Sequence, residues 1–163
     1  MQMAITQAAA RLEKGCDFTW SDILLLYSAG EESDTLWLPQ EVQNAWGAWI
    51  DNKQAWEDHG GAVGFVWNKG PTVARAIANA WATVGAVENG EMLLELANAA
   101  ERYRTQVGEA PLTASTLDAL RSQIYSALGH LPKRHLWIPE PESELTEAIS
   151  EWLTDRALRR RLG

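Results

Sequence analysis

The stretch PQEVQNAWGAWIDNKQAWEDH, residues 39–59, decides the fold class. Its apolar residues recur at three and four rather than at two, so Val42, Trp46, Trp49 and Trp56 fall close to one stripe of a helix with Ile50 flanking. Pro39 suits the first turn of that helix, where its missing N–H has no intrahelical partner to lose. A tryptophan stripe could stack bases or sugars, but at helical spacing it reads as core.

The same periodicity extends in both directions. Towards the N-terminus, it predicts a helix over residues 3–14 that stops at Gly15. A second helix is expected from Thr19 to Ser28, with Trp20, Ile23, Leu24 and Tyr27 on one face and Gly30 as its stop. The acidic EESDT that follows reads as a loop. Towards the C-terminus, the His-Gly-Gly corner at residues 59–61 leads into a short helix from Gly61 to Asn68. Pro71 then opens a helix that buries Val73, Ile77, Ala80, Trp81 and Val84 and ends at Gly85. Asn89 is placed to cap the next, with Met92, Leu93, Leu96, Ala100 and Tyr103 inward. A helix carrying Leu117, Leu120, Ile124 and Leu128 follows. An extended connection over residues 130–143 then leads to a terminal helix capped by Ser143. Seven or eight helices and no strand make the chain all-α, a compact single-domain bundle spanning residues 1–163.

Composition narrows the function. At 163 residues and 46% apolar content the chain suits one core. The single cysteine, Cys16, cannot form an internal disulfide and reads as a buried structural thiol. No apolar run reaches the roughly 18 residues needed to span a bilayer, and no positive charge precedes the short apolar run at the N-terminus. A soluble, cytoplasmic protein is the expectation. The net charge of −8 disfavours direct binding to nucleic acid or to an anionic membrane. It is also unevenly spread: residues 1–155 hold all 22 acids against ten bases, while Arg156, Arg159, Arg160 and Arg161 close the chain.

The residues offer little catalytic chemistry. There is no G-x-S-x-G elbow, and the glycines of HGGAVGFVWNKG, residues 59–70, match no phosphate-binding loop. His130 and His135 are five apart with a proline between them, unlike the one-turn spacing by which two imidazoles share a metal. Glu57 and Asp58 are adjacent on a helix and point apart. No metal, no cofactor and no catalytic activity are expected.

Charge forms the one distinctive constellation. In EPESELTEAISEWLTD, residues 140–155, six acids occur with no base. Glu144, Glu147, Glu151 and Asp155 lie along one helix face, opposite Leu145, Ala148, Ile149, Trp152 and Leu153. A shorter row, Glu88, Glu91 and Glu95, repeats the spacing. Successive carboxylates are about 4.5 to 6 Å apart along the axis, comparable to phosphates along one nucleic-acid strand. Such a row attracts the Lys and Arg of a DNA-binding protein by the term that draws them to phosphate. A solvated face with acids in its first turns to suit the helix macrodipole gives the same pattern.

Residues 57–103 resemble the bacterial DNA-mimic protein family of the type numbered nineteen, a domain-of-unknown-function family. The likeness is carried by Gly60-Gly61, Phe65, Asn68 and Gly70, then by Trp81, Gly85 and Ala86 in WATVGA, then by Leu93, Leu94 and Ala97. His59 and Ala62 stand where members carry Asn and an aromatic. The resemblance implies an all-helical, often dimeric protein whose acidic surface occupies the DNA-binding face of a partner. The leading expectation is an acidic module that blocks a basic DNA- or RNA-binding protein through Glu144, Glu147, Glu151 and Asp155, aided by Glu88, Glu91 and Glu95. The alternative is an immunity, antitoxin or phage-encoded inhibitor of a toxin or defence enzyme, using charge and exposed tryptophan. A third reading is an enzyme or small-ligand protein built on His59 and the glycine corner.

Overall fold

Trp46, Trp49 and Trp56 are buried together with Val42 and Ala45, so the stripe of residues 39–59 is the floor of the core. The computed structural model describes residues 1–15, 19–33, 37–59, 61–108, 113–127 and 142–162. Among these residues there are eight helices and no strand: α1 (Gln2–Lys14), α2 (Trp20–Ser33), α3 (Gln40–Asp58), α4 (Ala62–Lys69), α5 (Pro71–Thr83), α6 (Val87–Val107), α7 (Ala114–Ala127) and α8 (Glu142–Leu162). One hydrophobic core takes side chains from all eight. No helix among the described residues is long and apolar enough to cross a membrane.

Aromatic rings join α3 to its neighbours. Trp49 and Trp56 meet edge to face at 5.7 Å, and Phe65 of α4 lies 5.2 Å from Trp56. Trp81 of α5 stands 6.4 Å from Trp49, and its indole N–H donates to the Ala45 carbonyl at 3.2 Å. Each such ring pair adds about 0.5–1.5 kcal/mol beyond the area it buries.

The glycine-rich stretch is the corner that delivers Phe65 to this cluster. Gly61 and Gly70 bracket α4 at φ 98° and 94°, with ψ of −167° and 156°, a backbone region that only glycine enters without strain. Between them, Gly64 packs directly beneath the turn: a Cβ there would lie 1.9 Å from the His59 carbonyl oxygen. The Asn68 amide donates to the Gly64 carbonyl at 2.8 Å and closes the short helix.

Polar contacts fix the start of α2. The Asp22 carboxylate reaches back to accept the Thr19 N–H at 2.8 Å and the Thr19 hydroxyl at 3.3 Å. From α1, Arg11 reaches the same carboxylate through two guanidinium nitrogens. The Arg11 hydrogen bond, against the opposing effect of burial, holds the Asp22 carboxyl below its ordinary range.

Several sequence expectations shift by a turn or less. Gly30 does not stop α2, which runs on to Ser33 and takes in part of the expected EESDT loop. Leu26 and Ala29 are buried just before it, and that packing outweighs the roughly 1 kcal/mol that a helical glycine costs. The inward face of α2 is Asp22, Ile23, Leu26 and Ala29, while Trp20 and Leu24 are each more than a third exposed. On α5 the buried face is rotated to Ala74, Ile77, Ala78 and Trp81, which leaves Val73 exposed and Ala80 half-buried. Small side chains are needed there because α6 comes close: a Cβ on Gly90 would lie 3.0 Å from the Ala78 carbonyl. Asn89 is buried in the first turn of α6, which Ala86 precedes as N-cap. Likewise α8 begins at Glu142, so Ser143 lies inside it. Cys16, Leu128, His130 and His135 fall outside the described residues, with most of the connection expected over 130–143.

Two stability measurements test this account. Gly64→Ala should cost about 2 kcal/mol or more in urea unfolding, because the new methyl overlaps a carbonyl held by the corner. Asp22→Asn should cost about 1–3 kcal/mol at pH 7. Since the folded carboxyl titrates below its unfolded value, its contribution is complete above about pH 4 and disappears as pH falls through the folded value. The gap between Asp22→Asn and wild type should therefore narrow on acidification.

Candidate functional site

The acidic row of α8 is aimed by what anchors the opposite face. Leu145, Ile149, Leu153 and Ala157 are buried. Lys53 of α3 pairs with Glu142 at 3.1 Å, and Arg156 pairs with Glu41 at 3.3 Å. The Arg156 guanidinium also lies 5.1 Å from the Trp152 ring centroid. With α8 clamped at both ends, Glu147, Glu151 and Asp155 are exposed on its outer side.

The members of the row are not equivalent. Glu147 and Glu151 have no ion-pair partner among the described residues. Asp155 pairs with Arg159 one turn on, at 2.6 Å, with both side chains exposed. Glu144 is half-buried, and its Oε1 accepts the backbone N–H of Asn89 at 3.3 Å. That N–H belongs to the first turn of α6, where the donors lack intrahelical acceptors and the macrodipole is positive. Glu144 therefore serves the start of α6 from another helix.

This contact brings the two acidic rows together at one end. Glu88 and Glu91, exposed on the first turns of α6, flank Asn89, while Glu95 is half-buried further along. The exposed carboxylates of the two rows are Glu88 and Glu91 on α6 and Glu147, Glu151 and Asp155 on α8.

The other sequence candidates are placed differently. Among the described residues no group of three or more His, Cys, Asp or Glu side chains could hold a metal ion. His59 is exposed at the end of α3 with its carbonyl packed over Gly64. Of the tryptophans, Trp46, Trp49, Trp56, Trp67 and Trp81 are buried, and Trp20 is the most open among those described.

Two hollows escaped sequence reasoning because each joins separate helices. A trough of about 720 Å³ lies between α2, α3 and α5, lined by Tyr27, Glu31, Asn44, Asp51 and Ile77 among others. Burial, then the charges of Glu31 and Asp51, push the Tyr27 phenol above its ordinary pKa. The one available signal was the polar face of α3, Gln40, Gln43, Asn44, Gly47 and Asp51, opposite the tryptophan stripe. A smaller hollow of about 270 Å³ lies where α1, residues 37–39 and α8 meet.

Comparison of the chain with protein-family models, with curated proteins and with solved structures gave no match.

The two kinds of glutamate should separate on mutation. Glu144→Ala is expected to lower stability by about 0.5–2 kcal/mol through loss of its bond to the α6 N-terminus. Glu147→Ala and Glu151→Ala should stay within about 0.5 kcal/mol of wild type in the same denaturation assay.

Proposed function

We propose that this protein binds a basic, nucleic-acid-binding protein and blocks the surface which that partner offers to phosphates. The observation that carries the reading is the exposure of Glu147 and Glu151 on the outer side of a helix whose inner side is clamped to the core. Their carboxylates are fixed at one-turn spacing and continue through Glu144 towards Glu88 and Glu91. Fixed charges of one sign attract a complementary basic surface without paying to order a flexible segment. An inhibitor of a basic toxin or defence enzyme would use the same face, and the identity of the captured protein separates the two.

Affinity capture from the native host, washed at about 50 mM and about 500 mM salt, tests the proposal. The expected result is a basic, nucleic-acid-binding protein that is retained at low salt, released at high salt and displaced by DNA or RNA. A Glu147→Lys/Glu151→Lys variant should lose at least about tenfold in affinity, because attraction is replaced by repulsion at the centre of the face. Retention of a partner with no basic surface, or unchanged affinity of the reversed variant, would overturn it.

A further inference from the structure

The trough between α2, α3 and α5 has two unlike sides. One carries Glu31 of α2 and Asp51 of α3, both exposed and neither with an ion-pair partner among the described residues. Both carboxylates act on the Tyr27 phenol, whose pKa they raise, so they converge on one point of the trough. Gly47 lets that phenol lie across α3, since a Cβ there would be 2.7 Å from the Tyr27 hydroxyl oxygen. Like charges held near each other repel, and among the described residues that line the trough there is no Lys, Arg or His to relieve them. A cation placed there is attracted by both.

The other side is aliphatic. Val73, Ala76, Ile77 and Ala80 line it, at the i, i+3, i+4 and i+7 positions of one helical stripe. The core takes a different stripe of the same helix, Ala74, Ile77, Ala78 and Trp81. The apolar face of α5 is therefore wider than the core buries, and Val73 and Ala76 stay exposed on the trough side. An uncovered aliphatic row beside unpaired carboxylates is complementary to an occupant with an apolar row beside a basic one. The dimensions suit a helix. The floor runs along α3 from Gln40 to Asn52, ~18 Å, and the aliphatic row runs ~10 Å, the length of an i to i+7 row on a docked helix. At about 720 Å³ the trough holds far more than one ammonium or guanidinium group, so charge alone does not fill it.

We propose that this trough docks an amphipathic helix of a partner protein, with an aliphatic row on α5 and a Lys or Arg between Glu31 and Asp51. The Tyr27 oxygen is a further acceptor for that cation. The aliphatic row supplies buried area, and the two carboxylates fix which way round the helix lies. None of the α8 row takes part, so the site stands or falls independently of the function proposed above.

The test uses the ¹⁵N-labelled full chain and reads the backbone amide cross-peaks of Gly47 and Ala80. The main probe is a stapled helical peptide of about four turns with a leucine row and an arginine row side by side. Its controls are a peptide of the same composition with the rows scrambled, one with citrulline in place of arginine, and spermine as a small cation. Saturable movement of both peaks by the main probe is expected, with the scrambled and citrulline peptides about tenfold weaker or silent. A Glu31→Gln/Asp51→Asn variant, changed only at exposed positions, should bind about tenfold more weakly, and Ala76→Arg should abolish binding by placing a cation in the aliphatic wall. Glu147→Gln/Glu151→Gln should leave binding within about twofold, which separates this site from the α8 face. Equal binding of the scrambled peptide, unchanged binding by the Glu31→Gln/Asp51→Asn variant, or peaks that no peptide moves would overturn the proposal. So would spermine matching the main probe, which assigns a small-cation site, or movement of the same peaks with protein concentration alone, which assigns a second copy of this chain.

Discussion

The indoles of α3 are buried at a polar cost, and the remainder of the bundle is arranged so that burial still wins. Among the described residues the N–H groups of Trp46, Trp49 and Trp56 have no acceptor, whereas Trp81 donates to the Ala45 carbonyl. An unpaired buried donor costs about 1–3 kcal/mol. A tryptophan removes roughly 200 Å² from water, which at about 25 cal/mol per Å² is worth about 5 kcal/mol. The balance is favourable only while the stripe stays covered. Phe65 from α4, Trp81 from α5 and Trp20 from α2, 5.1 Å from Trp46, provide that cover, and the glycine corner and the close α5–α6 approach serve to bring it into place.

The clearest part of the sequence was the helical period where large side chains carry it. Trp46, Trp49 and Trp56 announce α3, and Pro39 and Pro71 mark the starts of α3 and α5. Where small residues set the contact, the period misleads. On α5 the eye follows Val73 and Ala80, while the close approach of α6 selects Ala74 and Ala78. Gly30 fails as a stop although Glu31, Glu32 and Ser33 beyond it are exposed; what holds the helix there is the packing of Leu26 and Ala29 just before it. Asn89 has the chemistry of a cap but lies a turn inside, because its N–H is served by a carboxylate 55 residues away. No local rule could find that partner.

The acidic rows were visible as spacing, and the fold alone distinguishes their members. Glu147 and Glu144 lie only about 60° apart on a helical wheel, yet one faces solvent and the other reaches the head of α6. Both hollows were hidden for the same reason, being built from helices far apart in the chain. The arginine run at the end of α8 read as one block of charge, yet Arg156, Arg159 and Arg160 have three different settings.

The bond from Glu144 to the α6 N-terminus also makes the acidic surface uneven as a counter-ion. A visiting cation can claim Glu144 only by withdrawing it from a backbone donor, and can claim Asp155 only by displacing Arg159. Both ends of the row are thus engaged within the molecule, Glu144 by an uncharged donor and Asp155 by a surface arginine, and the carboxylates with no such contact, Glu147 and Glu151, stand about one helical turn apart, roughly 6 Å along the axis. A partner would feel a narrow negative ridge rather than a long charged rod, so alignment along the helix would be set more sharply than the full run of acids suggests, and with fewer displaced ions.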